Sequence, residues 1–274
     1  MSSQNRLHAL DAVRAFALLA GVVLHATMSF FLPIPAKDVS QSATLALVFS
    51  AIHPWRMTTF YLIAGLFARL VMEKRGARGF AADRGKRILV PLIAGWVVLA
   101  PLTIGALIWG ISRTLDPAAR EAMSASAAAG SGPGAFPLTH LWFLYYLVIF
   151  YAVLLAVRGV FAKLDARGRI SGLVDKAVRP LLRSYFAPLV VGAPLFAVLG
   201  FDQRIVLMGG IPTPDGSLIP QVPALVGFGT AFALGWFVHR QLGLLAELRT
   251  RWIGHLAIGA ALFAAYHTVP GIEP

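Results

Sequence analysis

The stretch DAVRAFALLAGVVLH, from Asp11 to His25, decides how the rest of this chain is interpreted. It lies in an apolar run over residues 9–32, which is long enough to cross a bilayer as a helix of about 20 residues. Asp11, Arg14 and His25 are ionisable, and such groups inside a membrane are costly and usually functional. We therefore expect a transmembrane helix that carries part of a site.

The helical period places Arg14 and His25 on one face of this helix. Eleven residues separate them, so they point within about 20° of one direction, about 16 Å apart along the axis. Asp11 lies one turn before Arg14 and is expected to pair with it. Three other interpretations stay open: an interfacial Arg14, a His25 satisfied in the core, or a signal peptide. Further apolar spans and the lack of a cleavage site after Leu24 oppose the last.

The composition indicates a helical membrane protein in a single domain over residues 1–274. Of the 274 residues, 58% are hydrophobic and only 13% charged, against about 25% in soluble domains. The net charge of +12 comes from basic residues clustered in particular loops, which favours membrane lipids as partners and argues against nucleic acid. The absence of cysteine excludes disulfides, thiolate chemistry and cysteine-held metals.

Seven apolar runs are candidate transmembrane helices. They cover residues 9–32, 45–72, 88–112, 138–157, 185–201, 222–239 and 252–270. The loops between them are alternately rich and poor in Lys and Arg, with 18 basic residues on one side and four on the other. We therefore expect the N-terminus and the rich loops, over 73–87, 158–184 and 240–251, in the cytoplasm. The loop over 113–137, rich in Ala, Gly, Ser and Pro, is expected to be a flexible extracytoplasmic connector.

The second run contains a further pair of ionisable residues, His53 and Arg56. They are one turn apart and share a face. Arg56 is too far from either end of the run to reach the interface, so it needs a carboxylate, a group of carbonyls or an anionic substrate. An ion pair that joins two helices is the alternative. Gly65 beside Ala64 is more typical of a surface where two helices pack closely.

Two clusters flank the third and fourth runs. Arg84 and Arg87 precede the third run, where they either determine topology and contact lipids or dock a phosphate-bearing donor. His140 and Trp142 open the fourth run from the outer side. Trp142 is typical of the aromatic belt at a membrane interface, whereas His140 would face an acceptor arriving from outside.

The remaining histidines give no support for a metal site. His239, His255 and His267 have no metal-ligand spacing with a carboxylate on one helix face. The chain also lacks a P-loop and a dinucleotide-type glycine motif. We expect neither a metal nor a nucleotide cofactor of those classes.

These motifs resemble those of the acyltransferase family 3 membrane proteins, most closely the branch with the OpgC-like succinyltransferases of periplasmic glucans. The family's first span carries a basic residue, ten residues and a histidine, as Arg14 and His25 do here. Its second-span motif is matched from His53 to Leu66, with Ala64 in place of the usual Ser and Leu66 in place of the usual Phe. The runs over 84–91 and 140–144 are also similar.

The resemblance implies a membrane O-acyltransferase of the class that transfers groups other than aminoacyl groups. Such an enzyme moves an acetyl or succinyl group from cytoplasmic acyl-CoA to a hydroxyl of an extracytoplasmic glycan or related acceptor at the bacterial inner membrane, without a metal. His25 is expected to act as general base or as a transient acyl carrier. Arg14 or Arg56 would stabilise the oxyanion, and Asp11 would orient Arg14.

The resemblance assigns the other candidates to substrate and donor binding. These residues are His53, Arg56, Arg84, Arg87, His140 and Trp142. The family usually has about ten spans, so we expect this chain to lack C-terminal helices. An inactive truncated acyltransferase is therefore one alternative, and a transporter or flippase that uses the buried charges is another.

Overall fold

The fold is described here from a computed structural model. It describes residues 3–30, 40–130, 138–164, 172–173, 176–177, 180, 183–185, 187–199, 210–214, 217–240 and 243–268. Within these residues the elements are all helical, as the sequence predicts. Part of the predicted loop over 158–184 lies outside them, as do Lys37 and Arg204 of the weakly basic loops.

Each predicted span coincides with a helix. The helices are α1 (Ser3–Met28), α2 (Ala43–Arg84), α3 (Val90–Thr114), α4 (Pro117–Gly130), α5 (Trp142–Leu164), α6 (Ala187–Leu199), α7 (Val222–Arg240) and α8 (Gly243–His267). Among the described residues, four segments are long and apolar enough to cross a membrane: Ala9–Met28, Ala43–Arg113, Trp142–Val160 and Val222–His239. The second has 71 residues and contains both α2 and α3, so it is far longer than one crossing needs. Predicted span five corresponds to α6, whose apolar part, Leu189–Val198, is shorter.

The prediction of a loop over 73–87 is wrong, because this stretch is helical. α2 continues to Arg84, and a π-helical turn, Gly85–Leu89, joins it to α3. The helix is interrupted at Gly76, whose φ of 66° and ψ of −178° suit only glycine. Beyond this break the chain folds back onto the bundle, where the fully buried Phe80 meets the ring of Tyr151 edge-on at 5.3 Å.

The predicted flexible connector over 113–137 is also partly helical. α4 occupies Pro117–Gly130, while residues 131–137 lie outside the described part. Asp116 caps this helix, since its Oδ1 accepts a hydrogen bond of 2.8 Å from the amide of Ala119. Alanine, the strongest helix former, dominates the stretch and outweighs its serines.

Two glycines allow α2 and α7 to pack with their backbones in contact. A Cβ atom at Gly65 would collide with the carbonyl of Phe232, and one at Gly235 would collide with the carbonyl of Leu62. Small residues at such crossings let membrane helices approach closely. The expectation that Gly65 marks a helix-packing surface is therefore confirmed.

An aromatic core lies between α2, α5 and α7. The hydroxyl of Tyr61 donates to the carbonyl of Phe143 at 3.0 Å, and the amide of Gln221 donates to the hydroxyl of Tyr146 at 2.8 Å. The rings in this core are Tyr61, Trp142, Tyr146, Phe150, Tyr151, Phe228 and Phe232. Buried hydroxyls with partners make the core rigid as well as apolar.

Contacts along their length show that α2 and α7 run in the same direction. Tyr61 meets Phe228 at 4.8 Å, Gly65 lies against Phe232, and Arg69 lies over the ring of Trp236 at 4.9 Å. Helices that cross a membrane in the same direction are separated by an odd number of crossings. The three predicted spans between them, which correspond to α3, α5 and α6, agree with this.

Candidate functional site

Arg14 and His25, the ionisable residues that share a face of α1, lie at the edge of the surface with which this helix packs. Ala17, Ala20 and Leu24 are buried, whereas Arg14 and His25 are exposed. α1 runs antiparallel to α2, since Phe16 stacks on Trp55 at 5.8 Å and the amide of Ser42 bonds to the carbonyl of Phe30. Arg14 and His25 therefore border the N-terminal half of α2, where His53 and Arg56 lie.

Arg56 crosses from α2 to α1 and lies against Gly21. A Cβ atom at Gly21 would collide with the guanidinium of Arg56. Gly21 is one turn before His25 on the same face of α1, so this contact brings the arginine to the histidine. Gly21 is not among the site residues predicted from the sequence. A glycine four residues before a histidine in a helix of larger apolar residues was the available signal.

His140 contacts His25. Their ring centroids are 4.8 Å apart and the rings meet edge-on at 74°. His140 stands on a short 3₁₀ turn, Thr139–Leu141, directly before α5, and its side chain is exposed. Two histidines predicted from separate parts of the sequence are thus brought together, with open space beside them.

His53 is less exposed than His25 and His140, and it lies on the same helix as Arg56. Its ring stacks on Phe49 at 5.1 Å and borders Gly210, where an added Cβ would lie 3.4 Å from the ring. Within the described part of the chain, His53 Nε2 and Arg56 Nε are buried without a hydrogen-bond partner. Buried polar groups are almost always satisfied, so these two nitrogens, one turn apart, call for a polar partner that the described residues do not supply.

The expected pair between Asp11 and Arg14 is not formed. Both side chains are described and exposed, and the structure shows no ion pair between them. Exposed pairs contribute little, so nothing compels this one to form.

Trp142 belongs to the aromatic core. Only 9% of its surface is exposed, and its ring meets Phe228 at 5.6 Å and Tyr146 at 6.1 Å. The side chain is therefore buried between helices, where an interfacial belt residue would face the membrane surface. Its contacts explain packing and give no support for substrate binding.

The two arginines predicted to bind the donor occupy different environments. The guanidinium of Arg84 lies over the rings of Phe80 and Tyr151, at 5.5 and 5.3 Å, and donates to the carbonyl of Phe67 at 3.4 Å. The side chain of Arg87 is 70% exposed. A cavity of about 380 Å³ opens beside it and is lined by Arg75, Gly79, Ala82, Asp83, Lys86 and Arg87.

The described residues contain no group of three or more His, Cys, Asp or Glu placed to hold a metal ion.

A family model described as an acyltransferase domain matches residues 7–274, almost the whole chain. No curated protein matches the chain, and no solved structure does.

Proposed function

Because the chain belongs to acyltransferase family 3 and carries several apolar helices, it is a multi-pass membrane acyltransferase, and we propose that it takes its acyl group from cytoplasmic acyl-CoA. The acceptor in this proposal is a hydroxyl of an extracytoplasmic glycan or related molecule at the inner membrane. The observation that carries the proposal is the convergence of His25, His140 and Arg56 from three elements.

His25 is the proposed general base. It is exposed beside His140, so an acceptor can reach it. A neutral imidazole takes the hydroxyl proton while the hydroxyl oxygen attacks the thioester carbonyl. When the tetrahedral intermediate collapses, the ester forms, the carbon–sulfur bond breaks and the leaving thiolate takes the proton. Such proton transfer contributes typically ~10² to 10⁴-fold to a rate.

The oxyanion of that intermediate needs a cation, and Arg56 is the candidate nearest to His25. Its side chain lies against Gly21, and its Nε has no partner among the described residues. A guanidinium held in place before reaction stabilises developing charge without reorganisation. Arg14 is about three turns away from His25 along α1, which favours a role closer to the donor.

A covalent route uses the same residues. His25 would attack the thioester, carry the acyl group and pass it to the acceptor. Both routes end in release of CoA and both require His25. They differ in whether an acyl-enzyme accumulates when the acceptor is withheld, which mass spectrometry of the intact chain would detect.

The experiment is release of CoA from membranes that contain the 274-residue chain, with acetyl-CoA and succinyl-CoA offered separately. We expect one donor to be consumed and His25→Ala to abolish the release. His255→Ala is the matched control, because His255 lies against Tyr185, on residues outside this site. Full release by His25→Ala would overturn the catalytic role of His25. An intact chain that consumes neither donor but moves a solute would instead be a transporter.

A further inference from the structure

The cavity beside Arg87 has an internal carboxylate, Asp83. The side chain of Asp83 is only 7% exposed and is surrounded by three guanidinium groups. Its Oδ1 lies 2.9 Å from Nη1 of Arg75 and 3.2 Å from Nε of Arg87, and its Oδ2 lies 3.8 Å from Nε of Arg84. An acidic group in a basic cavity calls for an explanation, since by charge alone it weakens anion binding.

We propose that Asp83 is a positioning residue that holds Arg75 and Arg87 around a phosphate-binding pocket. The pocket is the cavity of about 380 Å³ described above, and Lys86 completes it. The assignment of its occupant as the donor's phosphates rests on the proposed function. The pocket's affinity for a phosphate group is a separate claim and is tested separately below.

Charge and donor count favour a phosphate ligand. Arg75, Lys86 and Arg87 line the cavity together with a single carboxylate, so the lining keeps an excess of positive charge. Each guanidinium has five N–H donors, and the bonds to Asp83 use only part of them. The remaining donors form a fork that suits the several oxygens of a phosphate group.

Among the residues that the structure describes, Asp83 is the side chain that pairs with both Arg75 and Arg87. Arg75 precedes the break at Gly76 and Arg87 lies in the π-helical turn, and their side chains are 57% and 70% exposed. Long exposed side chains have many rotamers, and a ligand that fixes them loses affinity. Asp83 removes that freedom in advance.

Glycine at position 79 makes this arrangement possible. A Cβ atom there would lie 2.7 Å from the Cβ of Arg75, so only glycine leaves room for the arginine to reach back across the break to Asp83. An ordinary pair between Asp83 and Arg87 at i and i+4 would not need this contact. The link between Asp83 and Arg75, eight residues apart, is what organises the pocket.

The test is a comparison of wild type with Asp83→Asn, using the full chain in nanodiscs of neutral phosphatidylcholine and CoA as the titrated probe. Charge alone predicts tighter CoA binding when a negative group is removed. Positioning predicts weaker binding, by about tenfold, with partial recovery in Asp83→Glu. Glu121→Gln, the same loss of charge on exposed α4, is the control and should leave the affinity unchanged.

A second set of variants separates positioning from simple loss of structure. In a background of Arg87→Gln, the further change Asp83→Asn should weaken CoA binding much less than it does in wild type, because the groups act as one unit. Equal or tighter binding by Asp83→Asn, or fully additive effects in the double variant, would overturn the proposal.

A second probe, inorganic pyrophosphate, keeps this proposal distinct from the donor assignment. If pyrophosphate binds with the same ranking of variants while CoA does not, the phosphate pocket stands and the donor assignment fails. If neither binds wild type, the pocket is refuted. Phosphatidylglycerol added to the nanodiscs would compete with pyrophosphate in wild type only if a lipid headgroup is the occupant. In that case the phosphate pocket stands, and the assignment of its occupant as the acyl donor fails.

Discussion

Gly21 links the two ionisable residues on which the proposed chemistry depends. The guanidinium of Arg56 can lie against the backbone of α1 because Gly21 has no side chain. The histidine one turn further along α1 is His25. A glycine inside a helix is unfavourable by up to about 1 kcal/mol relative to alanine, so its presence here needs a compensating role. Access for Arg56 is such a role.

We expect Gly21→Ala to lower the rate of acyl transfer by about tenfold or more, because the added methyl group displaces Arg56 from His25. The measurement is CoA release at saturating donor, together with thermal unfolding of the same sample. Gly105→Ala on α3 is the control, since a Cβ at Gly105 meets open space. Normal turnover by Gly21→Ala would show that the contact does not serve the reaction.

Arg84 is more enclosed than the other arginines of its cluster. Its side chain is 15% exposed and lies over two aromatic rings that join the folded-back end of α2 to α5. Contacts of a guanidinium with aromatic rings contribute up to about 2 kcal/mol when they are shielded from water. The residue therefore holds two elements together, whatever its part in donor binding.

We predict that Arg84→Gln destabilises the protein by about 1–2 kcal/mol, which a thermal or denaturant unfolding curve would measure. Arg78→Gln, an exposed arginine of the same segment, should change stability by less than about 0.5 kcal/mol. Equal stability of the two variants, with CoA affinity lost only in Arg84→Gln, would make Arg84 a donor ligand and contradict its structural role.

Among the helices, α2 and α7 form the tightest contact. Gly65 and Gly235 bring the two backbones together, and Arg69 continues the contact by lying over Trp236 of α7 while it pairs with Glu73 of its own helix at 2.7 Å. His239 adds an approach of 3.7 Å to Glu73. Packing of this kind, rather than a hydrophobic driving force, holds membrane helices together.

Gly65→Ala and Gly235→Ala should each destabilise the fold by about 1–3 kcal/mol, because the added methyl group meets a backbone carbonyl that cannot move aside. Unfolding in detergent micelles measures the effect, and Gly259→Ala, at an open position of α8, is the control. If all three variants unfold alike, the close approach of α2 and α7 is not a source of stability.

The whole chain is organised by alternating crossings of the bilayer. α2 and α7 run in the same direction, so an odd number of crossings separates them. In the predicted alternation α3 is the first of these crossings, so residues before and after α3 should lie on opposite sides of the membrane. The basic loops predict which side is the cytoplasm.

Because the chain has no cysteine, single cysteines can report this topology without interference. We expect Arg78→Cys to react with an impermeant maleimide only after the inner membrane is opened, and Glu121→Cys to react in intact spheroplasts. Both side chains are exposed, so neither result depends on unfolding. Labelling of both from one side would contradict the crossing by α3.

The sequence by itself determined the class of the fold and most of the proposed site. Apolar runs of sufficient length can satisfy their backbone only as helices in a bilayer, so every predicted span is found as a helix. The apolar runs also make His25, His53 and Arg56 stand out, because ionisable residues are rare inside them. Local composition carries this information without knowledge of which helices are neighbours.

Only the tertiary structure decided which of these residues meet. The contact of His25 with His140, the approach of Arg56 to Gly21 and the burial of Trp142 all join parts of the chain far apart in sequence. The structure also decided that Asp11 and Arg14 do not pair. The helical period brings these two side chains near each other, but it does not make them bond. Helix packing depends on side-chain shape across the whole bundle, and no single stretch of sequence records it.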